Sequence, residues 1–147
     1  MTSVHRDRLF WVGPATVVGS VVAVSIVHVA AVLVLRPPPE FLVQQYQAPT
    51  LFTVVLVSVA VLVFALVRRF AANPVGTYQR IAFVALVLSF LPDIPIGLGW
   101  APGGTWSLAI VFMLMHVAAW AVTVTMLTRL TLSDAASMAR NPSRQNG

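Results

Sequence analysis

Residues 80–106, RIAFVALVLSFLPDIPIGLGWAPGGTW, decide how the rest of the chain is read. The stretch opens as an apolar helix, places Asp93 between Pro92 and Pro95, and leaves through a glycine-rich turn. Arg80 to Leu91 is 12 residues, about 18 Å at 1.5 Å per residue. That falls short of a hydrocarbon layer about 30 Å thick, and starting at Gly76 does not make up the difference. The chain is therefore predicted to run on through Pro92–Asp93–Ile94–Pro95 to about Leu98 before it reaches water. Asp93 then becomes the one carboxylate placed within a bilayer.

Composition makes a bilayer the required solvent. Of 147 residues, 59% are hydrophobic and 9% charged, where a soluble domain carries about 25% charged residues. The mean hydropathy is +0.89. The length suits one domain. With no cysteine, disulfides, thiolate metal sites and CxxC redox chemistry are all excluded. The net charge of +5 comes from arginine alone. In a soluble chain it would suggest nucleic acid, but these arginines stand singly or in pairs at the edges of apolar runs. There they act as topology signals, and no nucleic-acid partner is expected.

Three further spans follow. Residues 10–35 carry no charge and exceed the roughly 20 residues a spanning helix needs. The run is too long for a cleaved signal peptide, and Pro14 is read as lying near its start, where a missing N–H does little harm. Arg36 and Pro37–Pro38–Pro39 stop it as a stiff extended connector, and Tyr46 is read at headgroup level. Residues 50–67 are valine-rich, yet in lipid continuous hydrophobicity of this length favours helix over strand. The third span covers about 78–98 and the fourth 106–128, separated by Gly99, Pro102, Gly103 and Gly104 and flanked by Trp100 and Trp106. The expected organisation is a head over 1–9, a four-helix transmembrane domain over 10–130, and a polar tail over 131–147. In the tail Ser133–Asp134 could cap a short helix, and residues from Asn141 are expected to be disordered.

Orientation follows from the arginines. Arg6, Arg8, Arg68, Arg69, Arg80, Arg129, Arg140 and Arg144 fall on one side and Arg36 on the other. Both termini and the 68–80 link are predicted to be cytoplasmic. Short links favour antiparallel neighbours, hence an all-α up-down bundle.

Helical period assigns the inward faces. Ala82, Leu86, Ser89 and Asp93 make one stripe; Ala109, Phe112, His116, Ala119 and Thr123 make another. The first span is ambiguous, with Gly19, Ala23 and Ala30 on one side and His28 about half a turn away. The second is split between Ser58 and Ala65 on one side and Thr53 and Ala60 on the other.

Polar residues within a bilayer are costly and point to function. Asp93, His116, Ser89 and His28 form the candidate site. Pro92 and Pro95 form a helix break that takes away the usual donors of the Leu88 and Leu91 carbonyls, as in the broken helices that line cavities. The plainer reading ends the third helix at PDIP and leaves Asp93 hydrated at the outer interface. A metal held by His28, His116 and Asp93, or a haem between the two histidines, has suitable ligand types but no motif to fix it. No phosphate loop, Ser-His-Asp set or HExxH motif occurs, so no catalytic residue, metal or cofactor is assigned.

Arg80–Ile81–Ala82, Leu88–Ser89–Phe90–Leu91–Pro92–Asp93 and Leu114–Met115–His116 resemble an uncharacterised family of small bacterial four-helix membrane proteins, a domain of unknown function. The resemblance covers the second half best. It implies a bacterial inner-membrane location and interest in Ser89, Asp93 and His116, but no substrate. The first functional expectation is thus a non-enzymatic bundle in the lipid bilayer, associating with a second copy or a partner membrane subunit. The alternative is a small carrier or proton-coupled ligand site at Asp93 and His116. The third is a haem- or metal-binding membrane protein.

Overall fold

The computed structural model describes residues 3–37 and 48–140, and side chains over 11–37 and 48–129. Pro38, Pro39, the loop with Tyr46, and the tail from Asn141 lie outside the described residues. The elements are α1 (Ser3–Leu35), α2 (Ala48–Phe70), α3 (Pro74–Ser89), α4 (Asp93–Gly97) and α5 (Trp106–Arg140). Among them are four helical spans long and apolar enough to cross a membrane: 11–35, 48–70, 74–97 and 106–129. The third of these comprises α3, a turn and α4.

The fold is an all-α four-helix bundle. α1 packs between α2 and α5, and α3 closes the circle by packing against the same two helices. The longest-range pairing, of α1 with α5, is the most extensive. The outer surface stays apolar: Trp11, Leu33, Leu51, Leu62, Phe70 and Leu88 are all exposed. Apolar exposure on this scale is a surface built for lipid, and the chain has the architecture of a multi-pass membrane protein.

Several helix ends differ from expectation, each for a local reason. α1 begins at Ser3, so Pro14 is internal. The carbonyl four residues before it has no proline N–H to accept, which a lipid-embedded helix tolerates when neighbours compensate. α5 runs on to Arg140 because residues 131–140 hold good helix formers and no Gly or Pro. Ser133–Asp134 therefore lie within it and cap no separate helix. Between α2 and α3, Asn73 is an N-cap, its Oδ1 accepting the Gly76 N–H at 3.1 Å, with Pro74 at the first helical position.

The best-packed region is near the end of the bundle that holds Arg68. Phe64, Tyr78, Val124 and Leu127 form one buried cluster, with Val12 and Trp120 against it. Phe64 and Tyr78 meet edge to face at 4.9 Å, and the Arg68 guanidinium lies 5.8 Å from the Phe64 ring centre. On α1 the inward face is Gly13, Thr16, Ser20 and Val24, with Thr16 and Ser20 fully buried. Gly19 and Ala23 flank it, and Ala30 is exposed. On α2 the inward side is Thr53, Val57 and Phe64. Ser58 is turned outward, its hydroxyl donating to the Val54 carbonyl at 2.7 Å.

Candidate functional site

The third span breaks where Pro92 brings no N–H. Here the chain tightens from i→i−4 to i→i−3 hydrogen bonding. Phe90 N–H donates to the Val87 carbonyl, Leu91 to Leu88, Asp93 to Phe90, and Ile94 to Leu91, at 3.1–3.3 Å. The Leu88 and Leu91 carbonyls thus regain donors, contrary to the expectation that both are left without them. The site offers no bare carbonyl pair for a cation. Pro95 does not break anything: it is third in α4, where a helix start leaves N–H groups free anyway.

α4 ends in a Schellman motif. Trp100 N–H donates to the Pro95 carbonyl at 2.9 Å and Gly99 N–H to the Ile96 carbonyl at 3.1 Å. Gly99 takes the left-handed conformation this requires, φ 75°. Thr105 then caps α5, its Oγ1 accepting the Leu108 N–H at 3.3 Å. Trp100 and Trp106, both exposed, mark this end as an interface.

This hairpin turns Asp93 into the bundle. The residue is 3% exposed, which contradicts the reading that leaves it hydrated at the interface. Its Oδ2 lies 3.3 Å from His116 Nδ1. That is a close polar contact without the alignment of a hydrogen bond, since Oδ2 has no hydrogen-bond partner among the described residues. His116 Nδ1 is closer to the Phe112 carbonyl oxygen, at 2.8 Å. Both oxygens facing Nδ1 accept, so the tautomer with hydrogen on Nδ1 fits, and Nε2 then presents a lone pair. Phe90 meets the imidazole edge to face at 6.3 Å. The His116 side chain is 29% exposed and that of Asp93 4%, so any approach to the pair is by way of the imidazole. His116 is ten residues into α5, but its ring reaches back to the level of Phe112, about 9 Å in from Trp106 at 1.5 Å per residue.

The other two candidates stand apart. Ser89 donates to the Leu86 carbonyl of its own helix at 2.7 Å. A Cβ at Gly19 would sit 3.4 Å from Met126 Sδ and Val122 Cγ1, so Gly19 marks where α1 touches α5. His28 continues the line of Ser20 and Val24 on α1 at four-residue spacing and is half-buried, with its Nε2 shielded from the surroundings. Among the described residues no three His, Cys, Asp or Glu side chains gather where they could share a metal ion.

Sequence reasoning missed two features. Ser20 and Thr123 share a buried hydrogen bond at 3.1 Å that links α1 to α5. Tyr78 is buried with its hydroxyl unpartnered among the described residues. Tyr78 is four residues before Ala82 on the predicted stripe, a signal that could have found it.

No protein-family model, curated protein or solved structure matches the chain.

Proposed function

We propose that this chain is a non-enzymatic multi-pass protein of a bacterial inner membrane, with both termini cytoplasmic, that works through proton binding at the Asp93–His116 pair. The observation that carries this is the inward carboxylate, set 3.3 Å from an imidazole nitrogen where membrane proteins rarely place ionisable groups without use. The Phe112 carbonyl holds His116 Nδ1–H, which leaves Nε2 as the open proton-accepting atom of the pair beside the Asp93 carboxyl. In vesicles containing a pH-sensitive dye, an acid pulse is expected to give a protein-dependent response that Asp93→Asn and His116→Gln both abolish. An unchanged response in both variants would remove this reading.

The second reading is association with another copy or a membrane subunit. It is favoured by an open apolar groove along α1, lined by Val22, Ser25, Ile26, Val29 and Leu33. Small and hydroxyl-bearing residues on such a face let helices approach closely in lipid. Under this reading, Ser25→Leu and Ala30→Leu disrupt a cross-linked oligomer or partner complex, while Asp93→Asn leaves it intact.

A further inference from the structure

Arg80 carries a permanent charge deeper in the bundle than the other described arginines at its end. Phe64 and Tyr78 meet edge to face at 4.9 Å, which sets the antiparallel register of α2 and α3. Arg80, two residues further along α3, is then about level with Leu62. From Ala48, where α2 starts, the rise to Leu62 is about 21 Å and the rise to Arg68 about 30 Å. Only the second matches a hydrocarbon layer about 30 Å thick. Arg68 therefore sits at the boundary, and Arg80 lies about 9 Å inside it. α5 agrees, since Val124 and Leu127 join Phe64 and Tyr78 in one cluster and Arg129 ends the fourth span beyond them.

Arg80 faces lipid. Arg80, Phe83, Val84 and Val87 share one stripe of α3 at helical spacing, and all four are exposed. The side of α3 turned to the bundle carries Tyr78 and Ala82 instead. No carboxylate offers itself: Asp93, the one carboxylate among the described side chains, is at the Trp100 end. A second copy lying alongside brings none at this depth, because Asp7, Glu40 and Asp134 all fall outside the four spans. A lone charge in lipid is costly, and arginine relieves it by running its apolar stem back to the headgroups. Helix geometry assists, since Cα–Cβ bonds tilt toward the N-terminus, which for α3 is the Arg68 end.

We propose that this face of α3 docks an anionic phospholipid of the leaflet at the Arg68 end. The Arg80 guanidinium donates paired hydrogen bonds to the headgroup phosphate, and an acyl chain lies along Phe83, Val84 and Val87. Arg69 and Arg129, both exposed at the boundary, add to a positive field that favours anionic over zwitterionic lipid. The inference rests on the membrane-spanning architecture and not on proton binding at Asp93–His116.

The test uses the full chain in vesicles of phosphatidylglycerol and phosphatidylcholine in equal amounts. Lipids retained by the extracted protein are counted by native mass spectrometry. Phosphatidylglycerol is expected to be retained in preference, and Arg80→Gln to lower that preference about fivefold, the weight of one arginine at an anionic surface. Arg36→Gln removes an exposed arginine at the opposite end and is expected to leave the preference nearly unchanged. An unchanged preference in Arg80→Gln, or an equal fall in both variants, overturns the proposal; the first result together with loss of a co-purifying subunit would assign Arg80 to a partner's carboxylate. A second measurement needs no variant. In the parent chain, phenylglyoxal is expected to modify Arg80 more slowly in phosphatidylglycerol than in phosphatidylcholine vesicles, with Arg36 as the internal reference. Equal protection of the two arginines overturns the proposal as well. The acid-pulse response of Arg80→Gln is expected to match the parent, so either conclusion can fail without the other.

Discussion

Gly97 and Trp106 are in face contact: a Cβ built on Gly97 would lie 2.6 Å from Trp106 Cε3. The indole thus occupies the space any other side chain at 97 would need, and it draws α4 down onto the start of α5. Since Asp93 is one turn before Gly97, this contact sets the height at which the carboxylate meets His116. Gly97→Val must push the ring aside, and overpacking of this kind costs about 1–3 kcal/mol. The expected result is a lower midpoint in thermal unfolding of the detergent-solubilised protein, together with a weakened acid-pulse response.

Gly104 and Gly19 give a contrasting pair. At Gly104 a Cβ would meet the Ile96 carbonyl oxygen at 2.5 Å and that of Ala101 at 2.9 Å, both backbone atoms that cannot swing away. At Gly19 the nearest atoms are side-chain tips at an ordinary 3.4 Å. Gly104→Ala is therefore expected to lower folded yield and stability sharply, while Gly19→Ala leaves both within about 0.5 kcal/mol of the parent. Size-exclusion profiles after a heating series would distinguish them.

How much of this could be read from the sequence differs by element. The inward stripes of α3 and α5 were legible because both helices bury one face at a regular 3.6-residue period. Asp93 and His116 fall on those stripes, so their meeting was open to anticipation. α1 was not legible in the same way. Its interior face runs through the hydroxyls of Thr16 and Ser20: Thr16 donates to the Val12 carbonyl of its own helix at 2.7 Å, and Ser20 bonds Thr123 across to α5. A search for small residues therefore left the face of α1 ambiguous between the side of Gly19, Ala23 and Ala30 and that of His28. The donors regained by Leu88 and Leu91 were also hidden, because proline chemistry states which bond is lost and not which one replaces it.

The Asp93–His116 contact has a measurable asymmetry. Removing the imidazole by His116→Ala leaves the buried Asp93 side chain without the polar ring that faces it, a loss of about 1–3 kcal/mol. Asp93→Asn instead leaves a neutral amide that can still face His116 Nδ1, so its cost is expected to be smaller. In a double-mutant cycle the two changes together are expected to cost less than their sum. Additivity within about 0.5 kcal/mol would mean that the 3.3 Å contact carries no coupling.

The absence of cysteine makes orientation directly testable. Ala72 lies between α2 and α3, beside Arg68 and Arg69; Ala101 lies in the turn between α4 and α5. Under the proposed orientation, in which eight of the nine arginines share one side, the loop-charge rule predicts Ala72 in the cytoplasm and Ala101 outside. In intact cells a membrane-impermeant maleimide is expected to label Ala101→Cys and to spare Ala72→Cys until the membrane is opened. The opposite pattern would place the Asp93–His116 pair in the cytoplasmic half. Its imidazole would then take protons from inside the cell, and the acid pulse would have to be applied to that face to be felt.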